Sequence, residues 1–163
     1  MKSWKEIEFL PGAFESLRRL ANTSYLIIVI SNQSAINRGL VTSSTVDDIH
    51  SHMRKAIERH GGRIDGFFYC PHRPDERCDC RKPKPGLLLL AAQHFSLDLH
   101  QCYLVGDAAT DLAAARAVGC HPILVLTGRG RESLPLVKNS QDNQTMVVDD
   151  ISAAADWILS RRH

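Results

Sequence analysis

Residues 25–30 read Tyr-Leu-Ile-Ile-Val-Ile, an apolar run without polar alternation. A strand with one wet face would alternate, so this run predicts a strand covered on both faces, as parallel sheets require. The rest of the chain keeps to that plan. Further strands are expected at 64–69, at 103–105 where Gly106 ends the run, at 122–126 and at 145–148. Helical patterns separate them. Residues 13–22 place Phe14, Leu17 and Leu20 at helical spacing. Residues 42–60 offer Thr42, Ser43 or Ser44 as N-caps and Gly61-Gly62 as a stop. Residues 86–95 are rich in leucine, 110–118 are rich in alanine with Gly119 as a C′ glycine, and 151–160 close the series. The polar stretch 127–144, with Gly128 and Gly130 early in it, reads as an exposed loop. Strands alternating with helices predict an α/β fold, a three-layer Rossmann-like arrangement around a mostly parallel sheet. In such sheets ligands sit at the carboxyl ends of the strands, so the residues just past each strand should carry the chemistry.

A chain of 163 residues suits one domain around one core, so 1–163 is expected to be a single domain. Hydrophobic residues at 44% and charged residues at 23% are the values of a soluble globular protein. A net charge of +2 is too small to argue for nucleic acid or a membrane surface. No apolar run approaches a bilayer span. Charge rather than an apolar segment follows Met1-Lys2-Ser3-Trp4, so no secretory signal is visible. Of five cysteines, three crowd into 70–80, which suits a metal site better than a disulfide framework and points to a reducing, cytoplasmic compartment.

After the first strand stands Ser31-Asn32-Gln33-Ser34. A hydroxyl and two amides there can donate to a phosphate without adding charge, though taken alone the tetrapeptide reads more simply as a turn with an Asx cap. After the second strand stand Cys70-Pro71-His72 and then Cys78-Asp79-Cys80. Four soft ligands in two close pairs suit tetrahedral zinc with no position left for a catalytic water, so a closed, structural site is expected to fold the loop 70–80. Cys102 and Cys120 flank apolar segments and read as ordinary buried thiols. Arg81-Lys82-Pro83-Lys84-Pro85-Gly86 comes directly after the loop. Two prolines stiffen it, and cations held there suit phosphate, Arg as a fork and Lys as a point charge. After the third strand come Gly106-Asp107 and, four residues on from Asp107, Asp111. One or two carboxylates at a strand end suit Mg2+, which completes its shell with water and phosphate oxygens; the simpler alternative is an N-cap for the next helix. His50 and His52 lie two apart on a helix, face different ways and read as surface histidines.

Together, S-N-Q-S, C-P-H with C-D-C-R-K-P-K-P-G, and G-D-x-x-x-D before A-A-x-x-x-G resemble the haloacid dehalogenase superfamily. Within it they are similar to the D-glycero-D-manno-heptose 1,7-bisphosphate phosphatases and the related histidinol phosphatases. The stretch Lys2 to Ala13 is similar to the segment just past that family's first motif. The resemblance implies Mg2+-dependent hydrolysis of a phosphomonoester on a small phosphorylated sugar, by a monomer. It makes Ser31 the hydroxyl that holds the transferring phosphoryl group, with Ser31, Asn32, Gln33 and Ser34 lining the substrate pocket. Arg81 would recognise substrate and Lys82 would stabilise the phosphoryl group. Asp107 would bind Mg2+ with Asp111 in its shell, and Cys70, His72, Cys78 and Cys80 would hold Zn2+. Ala108 stands where the family usually has a polar or basic residue. The larger departure is that the family opens with a central strand ending in D-x-D-G, whose first Asp attacks phosphorus, and these residues contain no D-x-D. Without that carboxylate the covalent route is closed. The alternative expectations are therefore a zinc-stabilised, phosphate-binding pseudophosphatase and a histidinol-phosphate phosphatase.

Overall fold

The structure is a computed structural model that describes residues 11–32, 43–70, 84–139 and 145–161. The chain divides into two compact units, Met1–Cys78 and Asp79–His163.

The first unit contains α1 (Ala13–Ala21), β1 (Ile28–Asn32), α2 (Ser43–Arg59) and β2 (Gly66–Cys70). β1 and β2 are parallel, with Ile28 opposite Gly66 and Asn32 opposite Cys70. α2 buries Val46, Ile49 and Ile57, an apolar stripe at helical spacing, and Ile64 joins them just before β2. Arg63 ties the entrance of the sheet together. Its guanidinium donates to the carbonyls of Ala21 and Tyr25. Its Nε meets Asp65 Oδ2 at 3.1 Å, and the same carboxylate oxygen accepts from the Ile27 amide at 2.7 Å. These bonds occupy the backbone at 21–27, so the strand starts later than the apolar run suggests. Tyr25 to Ile27 precede β1, and Leu26 is 43% exposed. β1 pairs with β2 alone among the described residues, and Ile28 to Ile30 are only half-buried rather than covered on both faces. Ser31 and Asn32 accordingly belong to the end of the strand and not to a turn after it.

The second unit contains α3 (Gly86–Phe95), a 3-10 turn (Leu99–Gln101), β3 (Tyr103–Gly106), α4 (Ala109–Ala117), β4 (His121–Val125), α5 (Gly130–Asn139), β5 (Met146–Val148) and α6 (Ile151–Ser160). The sheet order is β3-β4-β5, all parallel. Central β4 carries the buried Ile123, Leu124 and Val125. Pro122 is compatible with that central place because, among the described residues, β5 begins its pairing at Ile123, so the amide that proline lacks has no described partner to lose on that side. α4 ends in a Schellman turn. Cys120 donates to Ala115 O and Gly119 to Arg116 O, with Gly119 at φ 77 as the left-handed C′ residue.

The expected loop at 127–144 is corrected. Gly130–Asn139 is a helix that packs Leu134 and Val137 on Leu112 of α4 and Leu124 of β4. Two early glycines and the internal Pro135, which forfeits a helical hydrogen bond, mask its propensity; tertiary burial of two apolar side chains outweighs that. No described helix is long and apolar enough to cross a membrane.

Candidate active site

The carboxyl end of β3 presents Gly106-Asp107. Register sets what lies beside it. Gly106 is opposite Leu124 of β4, so the chain leaving β4 runs past the same end of the sheet. Gly128, at φ 57, turns that chain so that its Cα lies against the Asp107 carboxylate, where a Cβ would collide with Oδ2. The Arg129 amide then donates to Asp107 Oδ2 at 3.0 Å. Ser133, buried in α5, donates its hydroxyl to the Asp107 main-chain oxygen at 2.9 Å. Asp107 itself is half-buried.

Asp111 occupies the first turn of α4 and is 8% exposed. Its Oδ2 accepts from the Ala108 amide at 3.3 Å. Ala108 is the N-cap residue by backbone geometry and has no side-chain oxygen, so Asp111 caps the helix from within. The carboxylate folds back over Gly106, where a Cβ would come 2.6 Å from Oδ2. Asp111 thus serves the helix start, a role compatible with the place in the Mg2+ shell also expected for it.

This donor set fits a hard cation. Magnesium takes one or two carboxylates and fills the rest of its octahedron with water and phosphate oxygens. Asp107 supplies a carboxylate whose Oδ1 accepts no hydrogen bond among the described residues. The amino ends of α4 and α5 lie close by and add favourable potential for the anion it would bring. Among the described residues no group of three or more His, Cys, Asp or Glu side chains forms a richer metal cluster.

In the first unit the backbone of Ser31 and Asn32 forms the carboxyl end of β1, in register with Tyr69 and Cys70 of β2. The backbones of the residue expected to hold phosphate and of the first expected zinc ligand therefore end neighbouring strands of one sheet. Gln33, Ser34, His72, Cys78, Cys80, Arg81 and Lys82 lie outside the described residues, as do the side chains of Ser31, Asn32 and Cys70.

Two sequence readings of single residues have different outcomes. His50 is not a plain surface histidine: its ring stacks on Phe67 at 4.2 Å and meets Tyr69 edge-on at 5.8 Å. Burial lowers its pKa, with Asp47 opposing and Arg54 adding to the shift. A cavity of about 280 Å³ lies here, lined by Asp47, His50, Ser51, Arg54, Phe67 and Tyr69. The alternation of Phe67 and Tyr69 along β2 was the available signal, since it places both rings on one face. Cys120 behaves as expected: it is buried, its thiol donates to Cys102 O, and burial first of all pushes its pKa up to about 12.

The chain is similar throughout to known phosphatases. Residues 79–154 match the family model described as HAD-hydrolase-like. The D-glycero-beta-D-manno-heptose-1,7-bisphosphate 7-phosphatase of Pseudomonas aeruginosa is 40% identical over 152 residues, 92% of this chain and 83% of the relative. That of Pseudomonas putida is 38% identical over 159 residues, 98% of this chain and 89% of the relative. The crystal structure of D,D-heptose 1,7-bisphosphate phosphatase from Bordetella bronchiseptica, complexed with magnesium and phosphate, superposes with a TM-score of 0.92 at 38% identity, covering 99% of this chain and 89% of that one. The α/β fold with parallel strands, the strand-end aspartate and these likenesses agree: the chain belongs to the D-glycero-beta-D-manno-heptose-1,7-bisphosphate 7-phosphatase family of HAD-type phosphatases.

Proposed function

We propose that this protein removes the 7-phosphate of D-glycero-β-D-manno-heptose 1,7-bisphosphate in a Mg2+-dependent reaction. The observation that carries the reading is the Asp107 carboxylate, held at a parallel-strand end by Arg129 and Gly128, in a chain so close to a phosphatase solved with magnesium and phosphate.

When bound, the cation supplies charge neutralisation for the phosphoryl oxygens, where negative charge gathers during transfer. Asp107 holds it, and the protein's own donors do the rest. Ser31 donates its hydroxyl to a phosphoryl oxygen. Lys82 sets a positive charge beside the same group, and Arg81 grips the substrate through its forked donors. Asn32, Gln33 and Ser34 supply neutral polar contacts to the sugar. Asp111 keeps the start of α4 in place next to Asp107. The attacking carboxylate belongs, on the family resemblance, to the D-x-D motif, which residues 1–163 do not contain.

Zinc belongs to the same reading. Cys70, His72, Cys78 and Cys80 hold Zn2+, and the closed loop stiffens the approach to Arg81 and Lys82. The registry of Cys70 with Asn32 supports it, because the loop then starts from the strand beside the phosphate-holding residues.

The test is phosphate release by protein purified from its source, with its intact mass determined on the same sample. Heptose 1,7-bisphosphate should lose one phosphate with Mg2+ present and none with chelator, and histidinol phosphate should be a poor substrate. Faster turnover of histidinol phosphate would overturn the substrate assignment. Phosphate binding without turnover, by a protein whose mass is that of the 163 residues, would establish the pseudophosphatase alternative.

A further inference from the structure

The start of α5 and the residue just ahead of it hold Asp107 at two separate points. Arg129, just ahead of the helix, donates its amide to the carboxylate at 3.0 Å. Ser133, 6% exposed, donates its hydroxyl to the Asp107 main-chain oxygen at 2.9 Å. Ser133 is itself fixed, because its amide donates to Arg129 O at 3.0 Å. The three bonds close a loop through Asp107, Arg129 and Ser133. One contact on the carboxylate alone would leave it free to swing with its backbone, whereas a second on the main chain fixes where the side chain starts. Among the described residues the buried hydroxyl bonds to Asp107 O, while Leu134 and Val137 supply the apolar contacts of this helix.

We propose that Ser133 is a positioning residue for divalent-cation binding: its hydroxyl fixes the backbone of Asp107 so that the oxygen not used by Arg129 stays available to a hard cation. The inference rests on the reading of Asp107 as the Mg2+ ligand. It concerns affinity for the cation rather than the chemistry of transfer. Groups that orient a metal ligand from behind commonly change metal affinity about 10–100-fold when removed, and a bond to the ligand's backbone belongs at the low end of that range.

The experiment uses Mn2+ as the probe for the Mg2+ site, with free Mn2+ read by electron paramagnetic resonance in the absence of substrate. Mg2+ competition confirms that the two ions share the site. Ser133→Ala should raise the Mn2+ dissociation constant about tenfold, and Ser133→Thr, which keeps the hydroxyl, should restore most of the affinity. Unchanged affinity in Ser133→Ala overturns the proposal. Equal loss in Ala and Thr variants, tracking a loss of thermal stability in both, also overturns it, because packing and not the hydroxyl would then be responsible. Should Ser133→Ala not fold, Ser133→Cys, nearly isosteric and a weak donor, carries the same expectation. Asp107→Asn separates the two readings. If it keeps Mn2+ binding, the metal assignment and this proposal fall together. If it loses binding while Ser133→Ala keeps it, this proposal falls alone.

Discussion

Gly106→Ala tests how tightly the start of α4 is built against the end of β3. A Cβ at this position would lie 2.6 Å from Asp111 Oδ2, 2.7 Å from Asp111 Cβ and 2.9 Å from Asp111 Cγ. All three atoms belong to a side chain that is 8% exposed, so it has little room to retreat. Forcing a methyl into such a contact costs about 1–3 kcal/mol. Rotating Asp111 about its Cα–Cβ bond would move Oδ2 and Cγ but leave Cβ in place, and it would forfeit the bond to the Ala108 amide, a charged hydrogen bond worth about 1.5 kcal/mol. The two terms together come to about 2.5–4.5 kcal/mol. For a chain of this length that lowers the melting temperature by roughly 5–18 °C. The assay is urea or thermal unfolding of Gly106→Ala in two backgrounds, native and Asp111→Gly. Removing the Asp111 side chain deletes all three clashing atoms, so the alanine should cost little in that background. The coupling between the two changes should exceed about 1.5 kcal/mol, well beyond the additivity of distant sites. The same cost in both backgrounds would refute the reasoning, because the penalty would then arise from something other than Asp111.

Protonation of His50 should destabilise the fold. Its folded pKa lies below the ordinary value of 6.5, so the unfolded chain takes up the proton first and stability falls as pH drops below about 6.5. The loss levels off once the folded His50 also titrates, and His50→Phe should flatten the urea midpoint between pH 7 and pH 5; an unchanged slope would remove His50 as the cause. The Cys120 thiol, buried and shifted up to about 12, should resist alkylation by iodoacetamide at pH 8 until the protein is unfolded. Peptide mass spectrometry reads this directly, and rapid native labelling would contradict the burial. Cys78→Ser should lower bound zinc from one ion per chain towards none by elemental analysis, and unchanged zinc content would exclude the four-ligand loop.

The pattern of apolar runs and glycines was enough to read the order of the strands and of every helix but α5 and the 3-10 turn. The continuous run in β4 and the glycine stop at Gly119 have direct physical meanings, and the structure uses them. Where the pattern misled, a long-range contact decided. The first strand begins at Ile28 because Arg63 and Asp65 claim the backbone before it, which no local pattern announces. α5 escaped the pattern because glycine and proline describe local cost, while its formation depends on Leu112 and Leu124, contributed by other elements. At the site, the residue types of Asp107 and Asp111 suggested an acid pair, with Asp111 able to serve the helix start as well as the metal shell. The bond to Ala108 and the fit over Gly106 show its helix-start role. Ser133 carried no signal at all, because a serine in a polar stretch is ordinary until its hydroxyl is seen to end on Asp107 O.

Parallel pairing explains why so short a stretch of chain can govern Asp107. β3 and β4 run in the same direction and stay in register to Gly106 opposite Leu124, so both strands deliver their next residues to one end of the sheet. An antiparallel neighbour would send its exit to the far end and leave Asp107 without a loop to hold it. After β4 the chain must also turn into a helix that covers the sheet, and the turn at Gly128 brings the amide of Arg129 onto the carboxylate as it does so. Gly130 is as constrained: a Cβ there would run into the Val125 carbonyl, so the helix can begin this close to the strand only with glycine. The two glycines that made 127–144 look like a loop are therefore the residues that let α5 start beside Asp107. Their loop-like signature and their part in the site have the same origin, the absence of a Cβ where two pieces of backbone must nearly touch.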